Sequence, residues 1–265
     1  MFFVVNPASA QPAVTGTLSN VTRVETWSYF QPKIEPVLTP ALALAPIGDP
    51  DYTFLGNRSE LGVAVTGTRF DLSGAFNYVR VENLPPDAIG PGGLGTGAFY
   101  FAASGVPYSY QLYLGELTAR IKSADNRASI TLGRMPFSSG GEFHSSNVAL
   151  EELKTERLQS RLIGNFEWSY YQRRFDGVRV DVDRTAWHVN GAVFVPTQGG
   201  FEESTNLSMP KVQVASVSAT HKAATAEYQL FGYAYRDRRD TAAVVDNSGS
   251  TDQPVDVTMA TAGAS

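Results

Sequence analysis

The chain has 265 residues, of which 43% are hydrophobic and 18% are charged, with a formal net charge of −5 and no cysteine. The hydrophobic content excludes a disordered chain, and the acidic balance argues against nucleic acid as a partner, which a basic face would bind. Because disulfides and thiolate metal sites need cysteine, neither is available, and the sequence predicts no metal and no cofactor.

Residues 1–10 are similar to the end of a secretory signal peptide. A short apolar run over residues 2–5 precedes Ala8 and Ala10, which have the small-x-small spacing of a cleavage site. A complete signal also has a basic segment and an apolar run of about 7–15 residues. We therefore predict a truncated signal-peptide remnant over residues 1–10. The alternative is an ordinary N-terminus with two chance alanines.

Alternating polarity recurs along the rest of the chain and predicts β-strands with two differently solvated faces. Between residues 55 and 65, for example, Leu61 and Val63 share one parity, while Arg58 and Glu60 share the other. About nine such segments occur, many of them longer than the ~5–6 residues of an average soluble strand. They cover residues 18–30, 55–65, 70–82, 113–122, 127–135, 170–182, 185–195, 212–222 and 226–235.

The connections between these strands alternate between short and long. Short polar turns are predicted around residues 67–69, 123–126, 183–184 and 222–223, and long segments over residues 31–51, 83–107, 137–165, 197–211 and from 237 onward. Structureless loops longer than ~12–15 residues are uncommon in compact soluble domains. This alternation of short and long connections is typical of an antiparallel transmembrane β-barrel in the bacterial outer membrane, with short periplasmic turns and long external loops. A complete soluble twisted sheet is the alternative.

The number of predicted strands indicates a partial barrel. Bacterial barrels have an even number of strands, and the chain ends without an aromatic-ended closing strand. We therefore predict a barrel domain over residues 11–240 that represents about nine strands of a larger barrel. Residues 241–265 are expected to be a loop or a disordered, truncated end.

Two stretches resemble the alginate-export family of outer-membrane barrels. Residues 129–136 (SITLGRMP) form a strand that ends in Leu-Gly-Arg before a glycine-rich loop, and residues 172–179 (QRRFDGVR) resemble a second strand of the family. The two motifs occur in the family's order and at a similar separation. The resemblance covers residues 21–240. It implies passive passage of a polysaccharide or a small anion through an arginine-lined lumen.

One parity of the predicted strands carries the charges and amides that would line this lumen. We predict that these residues attract or guide the solute, because rings of cationic side chains raise the local concentration of anions. The alternative is that they only keep the water-facing side of the wall hydrated and interact with one another across neighbouring strands. The predicted lumen or solute-binding residues are Arg58, Glu60, Glu116, Arg120, Lys122, Arg134, Arg173, Arg179, His188 and Asn190.

The long segment over residues 137–165 contains a possible helix at 148–162. Lys154, Arg157 and Arg161 have the spacing of one helix face. Folded into the lumen, this loop would form a constriction with a cationic edge. Exposed on the surface, it would be only a solvated amphipathic turn.

The sequence predicts no enzyme. His144, Ser145 and Ser146 are adjacent but lie outside any recognisable catalytic motif. The leading hypothesis is a channel or porin for a hydrophilic, anionic or saccharide solute, with outer-membrane lipid as its other partner. The alternative is an outer-membrane carbohydrate-binding or adhesion barrel without transport.

Overall fold

The computed structural model describes residues 12–28, 51–86, 95–160, 162–200, 207–223, 225–240, 242–246 and 249–265. The predicted signal remnant therefore lies outside the described residues. Neither described helix is long and apolar enough to cross a membrane.

The described chain is dominated by a 10-stranded antiparallel sheet with the strand order β1-β2-β3-β4-β5-β6-β7-β8-β9-β12. A second pair, β10 and β11, forms a separate two-stranded sheet. The strands are β1 (Ala13–Trp27), β2 (Tyr52–Thr66), β3 (Phe70–Glu82), β4 (Tyr108–Lys122), β5 (Ala128–Met135), β6 (Phe175–Asp183), β7 (Trp187–Pro196), β8 (Val212–Lys222), β9 (Glu227–Asp237), β10 (Ala242–Asp246), β11 (Gly249–Gln253) and β12 (Val257–Ala264).

The strands predicted from alternation correspond to β1 through β9, so the all-β antiparallel architecture is confirmed. The prediction of a loop or disordered end over residues 241–265 is wrong, because β12 pairs with β9 along its whole length. The β12 sequence (VTMATAGA) consists mostly of small residues and has a threonine on each face, so it has little polarity contrast and periodicity could not detect it. Backbone hydrogen bonds to the β9 edge form this strand.

Short turns lie at one end of the sheet and long connections at the other. Each of the pairs β2–β3, β4–β5, β6–β7 and β8–β9 is joined by a short turn. The opposite end carries helix α1 (Gly95–Ser104) between β3 and β4, and helix α2 (Val148–Arg157) between β5 and β6. We call these the turn end and the loop end.

The sheet has two chemically different faces. Residues paired across antiparallel strands point to the same face, and the exposed apolar face, which we call the outer face, includes the register neighbours Leu132, Val178 and Val193. The opposite face, which we call the covered face, includes Thr131 and Arg179 and lies beneath the long connections. Further large apolar side chains exposed on the outer face are Leu61, Leu72, Leu117, Ile130 and Val217.

A β-bulge changes the parity of β4 at Gly115. The register with β3 shifts between Ala75 and Phe76, so that Glu116 faces Ala75 and Leu114 faces Phe76. Tyr113 consequently lies on the covered face, where it is buried, although simple alternation predicts that it shares a face with Leu117. The bulge places Tyr113 on the same side as the charged turn-end residues Glu116 and Arg120 of β4.

Candidate functional site

Most of the predicted lumen residues share the covered face. Arg120 is the register partner of Asp71 and Thr131, and Thr131 is in turn paired with Arg179. One register row therefore brings these side chains together from four strands. The predicted residues that the register places on the covered face are Arg58, Glu60, Glu116, Arg120, Lys122, Arg179, His188 and Asn190.

Arg134 is a correction, because the structure places it on the outer face. It pairs in register with Leu117 and Asp176, and it shares the parity of Leu132. The Arg134 guanidinium donates from Nε to Asp176 Oδ1 at 2.7 Å and from Nη2 to Oδ2 at 2.8 Å. Gly133 precedes it with a φ of +117°. Arg134 is therefore half of an ion pair on the outside of the sheet near its loop end.

Arg173 is also displaced from its predicted strand, because β6 begins only at Phe175. It lies in the preceding connection, where its guanidinium carbon sits 4.5 Å from the centre of the Phe166 ring. The neighbouring Arg174 is the buried one: it is 5% exposed, donates to the backbone oxygen of Gly115 at 2.7 Å and lies 3.8 Å from Glu60. Burial lowers the pKa of Arg174 from its ordinary value. Sequence alternation missed this residue.

Arg179 and Asp181 form the centre of a polar network on the covered face. Arg179 Nε donates to both carboxylate oxygens of Asp181, at 3.0 and 2.9 Å. Asn190 Nδ2 donates to the same carboxylate at 2.8 Å, and His188 Nε2 lies 3.4 Å from it. Arg179, His188 and Asn190 are among the predicted lumen residues, whereas Asp181 is not.

A polar cavity of about 460 Å³ lies between this network and the start of the β5–β6 connection. Its size falls within the range of ordinary small-molecule sites. Its charged and imidazole lining consists of Glu116, Arg120, Arg127, Glu142, His144, Arg179, Asp181, Asp183 and His188. Within the described residues Arg120 has no ion pair or hydrogen bond from its side chain, so its charge remains available. Cations and carboxylates are therefore interspersed around one space.

The β5–β6 connection folds onto the covered face. Arg179 Nη2 donates to the backbone oxygen of Glu142 at 2.8 Å. The Glu142 carboxylate accepts hydrogen bonds from Tyr233 at 2.7 Å and from Gln229 at 3.2 Å. Lys154 of α2 reaches Glu227 at 3.3 Å. These contacts favour the inward-folded arrangement over the solvated surface turn.

Helix α2 is shorter than predicted and presents only part of the expected cationic face. It runs from Val148 to Arg157, and the Asn147 side chain caps its first turn by accepting from the backbone nitrogens of Ala149 and Leu150. Lys154 is mostly buried against the wall, Arg157 is exposed, and Arg161 lies outside the described residues. Of these three cations, Lys154 is the one that contacts the covered face within the described residues, and the constriction stays a prediction.

Glu151 ties α2 to the segment before it. Its carboxylate contacts His144 Nδ1 at 2.7 Å and accepts from the backbone nitrogen of Ser145 at 2.7 Å. Partial burial opposes ionisation, but these hydrogen bonds and the charge of Lys154 outweigh it and lower the pKa of Glu151. The adjacent His144 and Ser145 thus serve as contacts of a carboxylate in this structure.

The last part of the β5–β6 connection, together with helix α1 of the β3–β4 connection, fills the loop-end half of the covered face on β2 to β4. Tyr170 lies against Gly56, and a Cβ atom built at that glycine would meet the ring at 2.1 Å. Tyr100 of α1 forms a 2.7 Å hydrogen bond with Ser169 and packs edge-on to Tyr171 at 4.9 Å between centroids. The whole cluster consists of Phe54, Val79, Val81, Leu84, Tyr100, Tyr113, Tyr170 and Tyr171. Periodicity could not reveal it, because its members come from distant segments.

Buried hydroxyl groups continue the polar character of the covered face on β8. Ser216, Ser218 and Thr220 are each less than 10% exposed, and their hydroxyl oxygens have no protein hydrogen-bond partner within the described residues. Alternate positions of this strand therefore present hydroxyls beneath the folded connection.

The outer face carries an apolar band with aromatic and charged margins. On β3 the exposed positions run from Phe70 through Phe76 to Tyr78 and then change to the Arg80–Glu82 ion pair. At ~3.3 Å per residue and the usual barrel tilt, this apolar run spans about 20–25 Å. Trp187 and Tyr228 lie at the turn-end margin, and Tyr108 and Tyr110 lie at the loop-end margin. This pattern matches the lipid-facing band and aromatic girdles of membrane barrels.

Structural comparison agrees with this architecture. The chain is similar to the solved high-pH structure of OprB from Pseudomonas putida, with a TM-score of 0.50 and 15% sequence identity. The similarity covers 89% of this chain and 56% of that chain. The chain has the fold of that structure. It spans 56% of the length of that chain. No protein-family model and no curated protein sequence matches the chain.

In transmembrane β-barrels the alternate positions of each strand have separate roles, with one set in contact with lipid and the other lining the interior. The outer face has the apolar band that the first role requires, and the covered face has the charges and hydroxyls that suit the second. Arg174, which sequence alternation missed, also lies on the covered side through its contacts with Gly115 and Glu60, although it belongs to the connection before β6.

Proposed function

We propose that this chain is a non-enzymatic porin of the bacterial outer membrane that passes a hydrophilic solute along its covered face. The observation that carries the proposal is the separation of an apolar outer face from a charged covered face, with a long connection folded onto the latter. A sheet of this kind suits lipid on one side and water on the other. When such a sheet closes into a barrel, every backbone hydrogen-bonding group is paired and no open edge faces the lipid.

The polar cavity favours a saccharide as the solute. A sugar hydroxyl both donates and accepts hydrogen bonds, so it can bind carboxylates such as Asp181 and guanidinium groups such as Arg179. The lining mixes the two kinds of group. The resemblance of residues 129–136 and 172–179 to alginate-export barrels also supports a saccharide. The unpaired Arg120 supports passage of an anionic one.

Planar-bilayer recordings test this proposal. We expect the purified chain to produce stepwise ionic currents that added saccharide reduces. Replacing Arg120 by glutamine should shift the reversal potential towards lower anion preference, because it removes an available cation from the pathway. The matched control is Arg80→Gln, which removes a cation from the outer face and should leave the reversal potential unchanged. Absence of any current would refute the channel.

A carbohydrate-binding barrel without transport is the second candidate. The aromatic cluster around Tyr100 and Tyr170 favours it, because this cluster fills the loop-end half of the covered face on β2 to β4. In that case the chain should bind saccharide in isothermal titration, yet reconstituted vesicles should show neither current nor saccharide flux.

A further inference from the structure

Three cations form a cluster on the outer face at the loop end of β8 and β9. Arg236 of β9 is the register partner of Gln213 in β8. One rung further towards the loop end, the backbone nitrogen of Arg238 donates to the backbone oxygen of Lys211 at 3.0 Å. These four residues line an open groove of about 390 Å³.

The charges of this cluster are only partly compensated. Lys211 pairs with Asp240, and Arg238 lies 3.4 Å from Asp256. Within the described residues Arg236 has neither an ion pair nor a side-chain hydrogen bond, and it is exposed. The cluster therefore has a net positive charge and one guanidinium free to bind an anion.

An apolar groove begins directly below the cluster on the same two strands. The next rungs towards the turn end are Ala215 with Ala234 and Val217 with Gly232. The groove has a volume of about 740 Å³, and its outer-face lining includes Val178, Val193 and Ala260. Its floor consists largely of small residues with larger valines beside them, so the groove is an open apolar surface along which a hydrocarbon chain can lie.

The two grooves together have the polarity of a single lipid molecule. Successive outer-face rungs are about 6.6–6.8 Å apart, so the cationic rungs lie immediately beyond the apolar band. In transmembrane β-barrels this is the level of the lipid headgroups on the external side. A phosphate group binds guanidinium groups with short, charge-assisted hydrogen bonds.

We propose that this surface is a binding site for an anionic lipid whose headgroup carries a phosphate, with the phosphate at Arg236 and Arg238 and one acyl chain in the apolar groove. The assignment depends on charge complementarity at the headgroup and on the apolar rungs beneath it. It also rests on the proposed membrane location, but not on solute transport.

Native mass spectrometry of the detergent-solubilised full chain tests the proposal. Phosphatidylglycerol and phosphatidylcholine with identical acyl chains are the two probes, and inorganic phosphate is the competitor. We expect phosphatidylglycerol to bind more tightly than phosphatidylcholine. The double variant Arg236→Gln/Arg238→Gln should weaken phosphatidylglycerol binding about 30-fold, from ~1 kcal/mol for each cation near a lipid headgroup.

Two further variants test the position of the site. Arg184→Gln, which removes an exposed cation at the turn end, is the matched control and should leave lipid binding unchanged. Ala215→Phe places a large side chain in the apolar groove, so it should weaken the binding of lipid while the cationic cluster remains intact.

The possible outcomes separate the two proposals. Equal binding of the two lipids, or an unchanged affinity in the double variant, would overturn the lipid site. Displacement of lipid by inorganic phosphate at equal concentration would also overturn it, because the apolar groove would then contribute nothing. A wild-type dimer that Ala215→Phe disrupts, without any lipid preference, would assign the surface to a second copy. Failure of the chain to insert into bilayers of any composition would instead refute the membrane location.

Discussion

Glu142 and Tyr233 link the long β5–β6 connection to β9, three strands beyond β6. The Tyr233 hydroxyl of β9 donates to the Glu142 carboxylate at 2.7 Å, although the two residues are 91 positions apart in sequence. Glu142 is 3% exposed and Tyr233 is 8% exposed. This buried contact, together with Gln229, holds the connection against the covered face.

Tyr233→Phe removes this hydrogen bond while keeping the ring. We expect the free energy of unfolding to fall by about 1–3 kcal/mol, because a buried carboxylate loses a donor. Residues 143–160 should also become more susceptible to proteolysis, which mass spectrometry of the fragments would measure. Tyr228→Phe is the control, because Tyr228 is 62% exposed on the outer face. Equal proteolysis of the two variants would contradict the anchoring role.

Gly56→Ala should displace Tyr170 from the aromatic cluster. The new Cβ atom would meet the ring at 2.1 Å, so the ring and the connection that carries it must move. We expect a loss of about 1–3 kcal/mol, typical of overpacking in a buried site, visible as a lower midpoint of chemical denaturation. Gly16→Ala on the neighbouring strand is the matched control, since nothing lies within 4 Å of its Cβ position. A normal midpoint for Gly56→Ala would show that the cluster adjusts freely.

Asp176→Asn should weaken the structure without affecting ion selectivity. The change breaks a bidentate pair in which the Arg134 side chain is 13% exposed and the Asp176 side chain is 31% exposed. We expect a loss of about 1–3 kcal/mol, between the values of exposed and buried pairs. A double-mutant cycle with Arg134→Gln would measure the coupling. A changed reversal potential in bilayer recordings would place this pair in the solute pathway instead.

Acidic pH should loosen helix α2 through Glu151. Because the pKa of Glu151 is lowered in the folded state, its contacts contribute stability at pH values above the ordinary carboxyl pKa, and this contribution disappears as the pH falls through the lowered value. Hydrogen exchange at the Ser145 amide, which donates to Glu151, should therefore accelerate on acidification. Glu151→Gln should remove most of this dependence, whereas Glu156→Gln should preserve it. Identical pH profiles for the two variants would contradict the assignment.

The sheet was predictable because its chemistry repeats every second residue. Leu61 and Val63 alternate with Glu60 and Gly62 whatever the rest of the chain does, so local periodicity is sufficient to identify β2. The same argument places Arg120 and Arg179 on one face. Periodicity fails where one inserted residue changes the parity, as Gly115 does in β4.

The positions of the connections were not predictable, because they depend on contacts between distant segments. Nothing in the sequence around Tyr170 indicates that its ring lies on Gly56 of β2. Arg173 and Arg174 are chemically alike, and only the later start of β6 decides that Arg174 is the buried one. β12 was missed because its small residues make both faces similar.

The anchoring of the β5–β6 connection has a consequence for the order of folding. The wall partners of its first part, residues 142–154, are Arg179, Glu227, Gln229 and Tyr233, which all follow it in the sequence. This part therefore cannot reach its final position until β6 through β9 have formed, and contacts between such distant segments form slowly. Strands β6 to β9 must therefore assemble before this part of the β5–β6 connection can fold over the covered face and narrow the space there.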